Sequence, residues 1–90
     1  MNADPIAIRL VYLARLREAL GIASERVELS PGVASVGELR ALLARRGGAW
    51  AAELAPGRAV RIAVNHELAD DGAALRAGVE VALFPPVTGG

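Results

Sequence analysis

The 90-residue sequence predicts a single α+β domain in which one main helix packs on one face of a mixed β-sheet. Three observations lead to this prediction. Strand-like segments occur in two pairs, the first at 6–13 and 24–30 and the second at 60–65 and 79–84. One segment with helical spacing separates the pairs. Hydrophobic residues make up 53% of the chain, which is enough for one modest core.

The first pair of segments is predicted to form a hairpin. Residues 6–13 (IAIRLVYL) are rich in β-branched and aromatic side chains, and their alternation places four of them on one face: Ile6, Ile8, Leu10 and Tyr12. Residues 14–21 form a short helical turn or loop that Gly21 can end. Residues 24–30 (SERVELS) alternate again and form the second strand.

The main helix is predicted to begin after Ser35. The sequence SVGE at 35–38 fits a capping box, in which Ser35 accepts a hydrogen bond from the backbone at Glu38 and Glu38 reaches back. Four apolar residues then follow at helical spacing: Val36, Leu39, Leu42 and Leu43. Arg45 and Arg46 are interpreted as a solvated helix end, which Gly47 and Gly48 terminate.

The second half of the chain is predicted to hold two more strands. Residues 49–59 are expected to be irregular, with Trp50 packing against the body and a turn at 56–57. Residues 60–65 form the third strand, and 65–67 a tight turn, because Asn65 tolerates a left-handed conformation. Residues 70–78 are a loop with at most one helical turn, and 79–84 form the last strand.

The predicted order of strand, strand, helix, strand, strand is that of a β-grasp, the ubiquitin-like fold. The helix provides the long crossover that lets the first and last strands run parallel at the centre of the sheet. We expect residues 1–84 to form this domain and 85–90 to form an extended C-terminal tail. The first five residues are expected to be disordered.

Composition excludes several classes of protein. Ten Arg balance ten Asp and Glu, so the basic excess typical of nucleic-acid binders is missing. No apolar run approaches the ~20 residues of a membrane span and no signal peptide is recognisable, so a soluble cytoplasmic protein is expected. The chain has neither Cys nor Lys, which rules out a thiolate nucleophile, a Schiff-base lysine and lysine-linked chains of itself.

The tail FPPVTGG suggests where the chemistry lies. Alternation in 79–84 places Phe84 opposite the core face, toward solvent or a partner, unless it folds back over the sheet edge. Pro85 and Pro86 end the strand and favour an extended path for Val87 and Thr88. Gly89 and Gly90 have no side chain, so a narrow channel in a partner can close around them.

The α-carboxylate of Gly90 is the one unusual reactive group that this tail offers. A carboxylate becomes an acyl donor once it is activated, typically by adenylation with ATP. Sulfur can then convert it into a thiocarboxylate, or an amine into an amide. No metal ligand set and no bound cofactor are predicted.

From 8–21 (IRLVYLARLREALG) through 35–43 (SVGELRALL) and 63–65 (AVN) to the tail, the sequence resembles the small subunits of molybdopterin synthase, which are ubiquitin-like sulfur carriers. The Gly-Gly ending is shared with other ubiquitin-like proteins, whereas FPPV before it is far more specific. The resemblance covers essentially the whole chain. Gly89 and Gly90 match the family's functional glycines, and Phe84 matches its aromatic residue before the two prolines.

The resemblance implies a cosubstrate rather than an enzyme acting alone. A ubiquitin-activating-type adenylyltransferase would adenylate Gly90, and a sulfur donor would convert it into a thiocarboxylate. The tail would then enter the large synthase subunit and give its sulfur to cyclic pyranopterin monophosphate, twice per molybdopterin. The family further implies a heterotetramer of two small and two large subunits, with Phe84 binding the partner.

Three alternatives remain. The chain could carry sulfur for another pathway, such as thiamine thiazole synthesis, although such carriers generally lack the double proline. It could be a β-grasp binding module whose tail docks non-covalently, which leaves the Gly-Gly ending without a purpose. A free-standing enzyme is least favoured, because His66 lies in a predicted turn, and adjacent Asp70 and Asp71 are more typical of a solvated loop than of a cation site.

Overall fold

The computed structural model describes residues 4–86, and in this range five strands form one mixed sheet with three helices on one face. The strands are β1 (Ile6–Tyr12), β2 (Ser24–Leu29), β3 (Arg61–Val64), β4 (Glu67–Ala69) and β5 (Glu80–Phe84). The helices are α1 (Ala14–Leu20), α2 (Val36–Ala44) and α3 (Gly48–Leu54). None of these helices has the length and apolar character needed to cross a membrane.

The sheet has the predicted β-grasp topology. Its order is β2-β1-β5-β3-β4, with β1 and β5 parallel at the centre. The other neighbouring strands are antiparallel. The α+β class and the mixed sheet are therefore confirmed.

The core lies between the sheet and the helices. The predicted face of β1 supplies Ile8, Leu10 and Tyr12, all nearly inaccessible to solvent, while Ile6 is half-buried at its margin. The helices add buried side chains above them: Leu16, Val36, Leu39, Leu43 and Leu54. Leu42, predicted for the same stripe of α2, is only partly buried. Hydrophobic burial of this stripe holds the helices on the sheet.

The capping box at the start of α2 is confirmed with one change of partner. The Ser35 hydroxyl accepts a hydrogen bond from the Glu38 N–H at 3.2 Å. The Glu38 carboxylate reaches back one residue further than expected and accepts from the Ala34 N–H at 3.1 Å. The same carboxylate accepts from the Ser35 hydroxyl at 3.0 Å. Hydrogen bonds from Ala34 and Ser35 lower the pKa of Glu38.

The loop between β4 and β5 contains no helical turn, and backbone hydrogen bonds connect it to the start of α2. The Val36 N–H donates to the Ala73 carbonyl at 3.0 Å, and the Gly37 N–H donates to the Asp71 carbonyl at 2.8 Å. A Cβ at position 37 would lie 3.1 Å from the Asp71 Cβ, so glycine allows this close approach. Leu75, from the same loop, is buried in the core.

In the second half one prediction is wrong and one strand was not predicted. Residues 49–59, expected to be irregular, contain α3 up to Leu54, and the turn at 56–57 follows it. The helix α2 ends at Ala44 with Arg45 as its C-cap, and Gly47 is the N-cap of α3. The two glycines therefore begin a helix that has no side-chain cap, instead of ending α2 as predicted. The strand β4 was not predicted, because three residues are too few to show alternation.

Two turns have the left-handed backbone conformations that the sequence predicts. Gly21 ends α1 in a left-handed conformation, with φ of 75°. Asn65 and His66 both have positive φ, 49° and 71°, in the tight turn between β3 and β4. Asn65 also links this turn to β5, because its side-chain oxygen accepts from the Glu80 N–H at 2.9 Å. At the start of α1, Ala14 has an unpredicted positive φ of 54°.

Candidate functional site: a sheet face beside the tail

The predicted tail begins at the end of the central strand β5. Phe84 is the last residue of β5, and Pro85 and Pro86 after it are half-buried. The other predicted tail residues, Val87, Thr88, Gly89 and Gly90, lie outside the described residues. The boundary between a domain at 1–84 and a tail at 85–90 therefore stays a prediction, as does the disorder expected for 1–5, of which only 4–5 are described.

Phe84 lies on the face of the sheet opposite the three helices of residues 4–86. In β5, Val81 and Leu83 are fully buried beneath the helices, so alternation directs Phe84 to the opposite, open face. Its neighbour across the sheet in β3 is Arg61. The Phe84 side chain is half-buried, and it remains accessible on this face to another molecule.

Two further apolar side chains share the open face, and sequence reasoning missed both as candidate site residues. Leu13 follows β1 with extended backbone and is 43% exposed. Leu68, in β4, is 68% exposed. They are the large hydrophobic residues that stand exposed in the described part of the chain. Burying them would be favourable, which makes this face a candidate binding surface.

The strand register gathers these side chains into one apolar area. One row runs across the sheet through Val11, Ala82, Ala63 and Leu68. The adjacent row brings Leu13 beside Phe84, since Tyr12 is paired with Leu83 and the Leu13 N–H donates to the Leu83 carbonyl at 3.0 Å. We call these six residues the open-face patch: Val11, Leu13, Ala63, Leu68, Ala82 and Phe84. The patch adjoins the point where the tail leaves the sheet.

Beneath the helices, a polar cluster fixes the end of β1 that carries Leu13. The Tyr12 hydroxyl donates to Glu25 Oε2 at 2.7 Å. Arg46 binds the same carboxylate with two nitrogens, Nη1 to Oε2 at 2.8 Å and Nη2 to Oε1 at 3.2 Å. Trp50 completes the cluster, because its ring meets Tyr12 edge to face at 5.3 Å and lies 4.4 Å from the Arg46 guanidinium carbon.

This cluster corrects the interpretation of the two arginines at the end of α2. Arg45 is exposed, as expected for a solvated helix end, and contributes its backbone as the C-cap. Arg46 instead ties α2 to β2 through Glu25 and to α3 through Trp50. The prediction that Trp50 packs against the body is confirmed, although it does so from a helix.

The cluster sets the charge states of its members. Burial opposes ionisation of Glu25, but hydrogen bonds from Arg46 and Tyr12 outweigh it and lower the pKa of that carboxyl. Burial, together with the bond to Glu25, raises the pKa of the Tyr12 hydroxyl well above its usual range. Tyr12 therefore remains a hydrogen-bond donor over the whole physiological range of pH.

The residues considered for other chemistry have local roles in the structure. His66 is exposed in the β3–β4 turn, with its Nε2 3.8 Å from Glu80 Oε1. Asp70 accepts a hydrogen bond from the Gly72 N–H at 3.0 Å and so stabilises a turn. Within residues 4–86, no three His, Asp or Glu side chains come close enough together to hold a metal ion.

Comparison with known proteins finds relatives over most of the chain. The model of the ThiS family matches residues 10–90. The molybdopterin synthase sulfur carrier subunits of Haemophilus influenzae and Escherichia coli are 34% and 36% identical to this chain over 83 residues. These residues are 92% of this chain and 99% of each relative. The crystal structure of small archaeal modifier protein 1 from Haloferax volcanii is 35% identical, with a TM-score of 0.65. That match covers 91% of this chain and 99% of the other.

Proposed function

The chain belongs to the ThiS family, and on that premise we propose that it is the sulfur-carrying small subunit of a molybdopterin synthase. An activating enzyme joins the Gly90 carboxylate to AMP and releases pyrophosphate from ATP. A sulfur donor then delivers sulfur at the sulfide oxidation level to the acyl carbon, the acyl–phosphate bond breaks so that AMP leaves, and a thiocarboxylate forms. In the large subunit the thiocarboxylate sulfur bonds to a carbon of cyclic pyranopterin monophosphate in place of an oxygen substituent. Water then cleaves the bond between that sulfur and the acyl carbon, which returns Gly90 to a carboxylate.

The observation that carries the proposal is the position of β5. This strand lies at the centre of the sheet between β1 and β3, and its last residue, Phe84, lies in the open-face patch. A protein that covers the patch therefore sits beside the first tail residues, Pro85 and Pro86. From there, four more residues at ~3.3 Å each could reach about 13 Å into that protein.

The open-face patch is the surface that we propose for the large subunit. Leu68 is 68% exposed in the free chain, so burying it on binding is worth about 1.5–2 kcal/mol relative to Ala. Leu68→Ala should therefore raise the Kd for the large subunit by about 10- to 30-fold. Because the side chain is mostly exposed, the substitution should change the free energy of unfolding by no more than about 0.5 kcal/mol.

The experiment combines binding with sulfur transfer. The chain, thiocarboxylated with its activating enzyme, ATP and a sulfur donor, is mixed with the large subunit and cyclic pyranopterin monophosphate, and molybdopterin is measured. Removing Gly90, or adding one residue after it, should abolish product while the chain still folds and binds. Leu42→Ala removes the same atoms from a partly buried position on the helical side and should leave the Kd of the folded protein unchanged. Product formed by a chain without Gly90 would refute the proposal.

A second candidate function is protein modification, which the similarity to small archaeal modifier protein 1 and the absence of Lys favour. A lysine amine of a target would attack the Gly90 adenylate, form an amide and release AMP. Because the chain has no Lys, no side-chain amine of one copy could form an amide with the Gly90 of another copy. Gly90-dependent conjugates in cells, with no molybdopterin formed in the reconstituted reaction, would favour this function over the first.

A further inference from the structure

Two arginines face each other on the open face of the sheet, at the end away from Phe84. Arg9 in β1 is paired directly with Arg26 in the antiparallel strand β2, and both are exposed. Together with Ala7, Ile8 and Gly78 they line a shallow depression of about 320 Å³. Like charges directly opposite one another in a sheet destabilise the pairing.

No carboxylate of residues 4–86 lies within 4.0 Å of the guanidinium group of Arg9 or Arg26. Within residues 4–86, the carboxylates that lie within 4.0 Å of a basic side chain belong to Glu53, Glu25 and Glu80, and their partners are Arg15, Arg46 and His66. Glu80 is the neighbour of Arg9 in β5, but its carboxylate lies 3.8 Å from His66 Nε2 and not within 4.0 Å of Arg9. Within residues 4–86 the arginine pair therefore has no ion pair that would offset the repulsion between like charges opposite one another in the sheet.

The pair is continuous with the open-face patch. Arg9 lies on the same face of β1 as Val11, two residues or about 7 Å away. Any protein surface that covers the patch and extends along β1 must meet the two guanidinium groups. Arginine binds carboxylates with two parallel hydrogen bonds, so a pair of arginines suits an acidic surface.

We propose that Arg9 and Arg26 bind Asp or Glu carboxylates of the protein that docks on the open-face patch. This inference rests on the proposed function, in which that protein is the large synthase subunit. The apolar end of the face then supplies affinity, while the arginine end speeds association and fixes the orientation in which the tail reaches the partner.

The test compares two double variants that remove the same charge. Arg9→Gln/Arg26→Gln removes the pair, and Arg17→Gln/Arg45→Gln removes two exposed arginines on the helical side. Binding of the large subunit is measured at low and at high salt. The first variant should bind about fivefold more weakly at low salt, and the control should change by less than about twofold. Near 1 M salt the difference should vanish, because the screening length falls to about 3 Å.

A second measurement separates binding from structural support. Arg26→Gln relieves repulsion in the free chain and should raise its melting temperature, whereas a pair that supports the fold would lower it when altered. Equal losses of affinity in the two double variants, or a loss that persists at 1 M salt, would overturn the inference. Binding that depends on Leu68 but not on the arginines would overturn this inference alone. Failure of the unaltered chain to bind the large subunit would overturn both proposals.

Discussion

Replacing Arg46 by Gln should destabilise the protein by about 1–2 kcal/mol, although the side chain is 35% exposed. The substitution removes the two-point contact with Glu25 and the contact with the Trp50 ring. A partly exposed ion pair is worth up to about 1 kcal/mol, and a cation over an aromatic ring about 0.5–1 kcal/mol. These two contributions set the expected magnitude.

The control for this prediction is a substitution of the neighbouring residue, Arg45. Arg45 is exposed and contributes to the helix end through its backbone, so Arg45→Gln should change stability by no more than about 0.5 kcal/mol. Unfolding by urea is followed by circular dichroism and by the fluorescence of Trp50, the single Trp of the chain. Equal destabilisation by the two substitutions would refute the reasoning.

The unaltered protein and Arg46→Gln can also be compared as a function of pH. The pKa of Glu25 is lower in the folded chain than its ordinary value of 4.5, so its ionised form contributes stability above that pH. This contribution is lost as the pH falls through the lowered pKa. The stability difference between the unaltered protein and Arg46→Gln should therefore shrink as the pH is lowered from 6 toward 2. A difference that stays constant would mean that Glu25 does not contribute.

Two further predictions concern local backbone structure. Ser35→Ala removes the cap of α2 and should cost about 1 kcal/mol in thermal unfolding, whereas Ser30→Ala, in an exposed position, should cost little; equal effects would contradict the capping role. Ala14→Gly should stabilise the protein by up to about 1 kcal/mol in the same assay, because glycine adopts the positive φ of this position without a steric penalty. A lower melting temperature would show that glycine's chain entropy outweighs that relief.

The sequence predicted the elements that have strong local signals. The capping box located the start of α2, and alternation located β1, β2, β3 and β5, since these patterns arise within a few neighbouring residues. The helix α3 was not predicted because it begins at a glycine, and the strand β4 was not predicted because it has only three residues. Their structure depends on tertiary contacts, such as Trp50 against Tyr12.

The candidate site likewise contains a residue that the sequence predicts and others that it does not. The position of Phe84 before two prolines marks it as a candidate, and alternation along one strand is enough to place it opposite the core face. Leu13 and Leu68 join it only through the order of the strands, which brings β1, β5, β3 and β4 side by side. The opposition of Arg9 and Arg26 likewise depends on the register of β1 with β2. Single-strand patterns contain no information about such neighbours.

The mass of the tail peptide tests the central claim most directly. Trypsin cleavage after Arg76 releases residues 77–90, which contain neither Met, Cys nor Trp, so oxidation of those side chains cannot mimic sulfur. After incubation with the activating enzyme, ATP and a sulfur donor, we expect the mass to rise by the exchange of one oxygen for sulfur. The product should also react with an alkylating agent. A peptide that keeps an unmodified carboxylate under these conditions would contradict the assignment as a sulfur carrier.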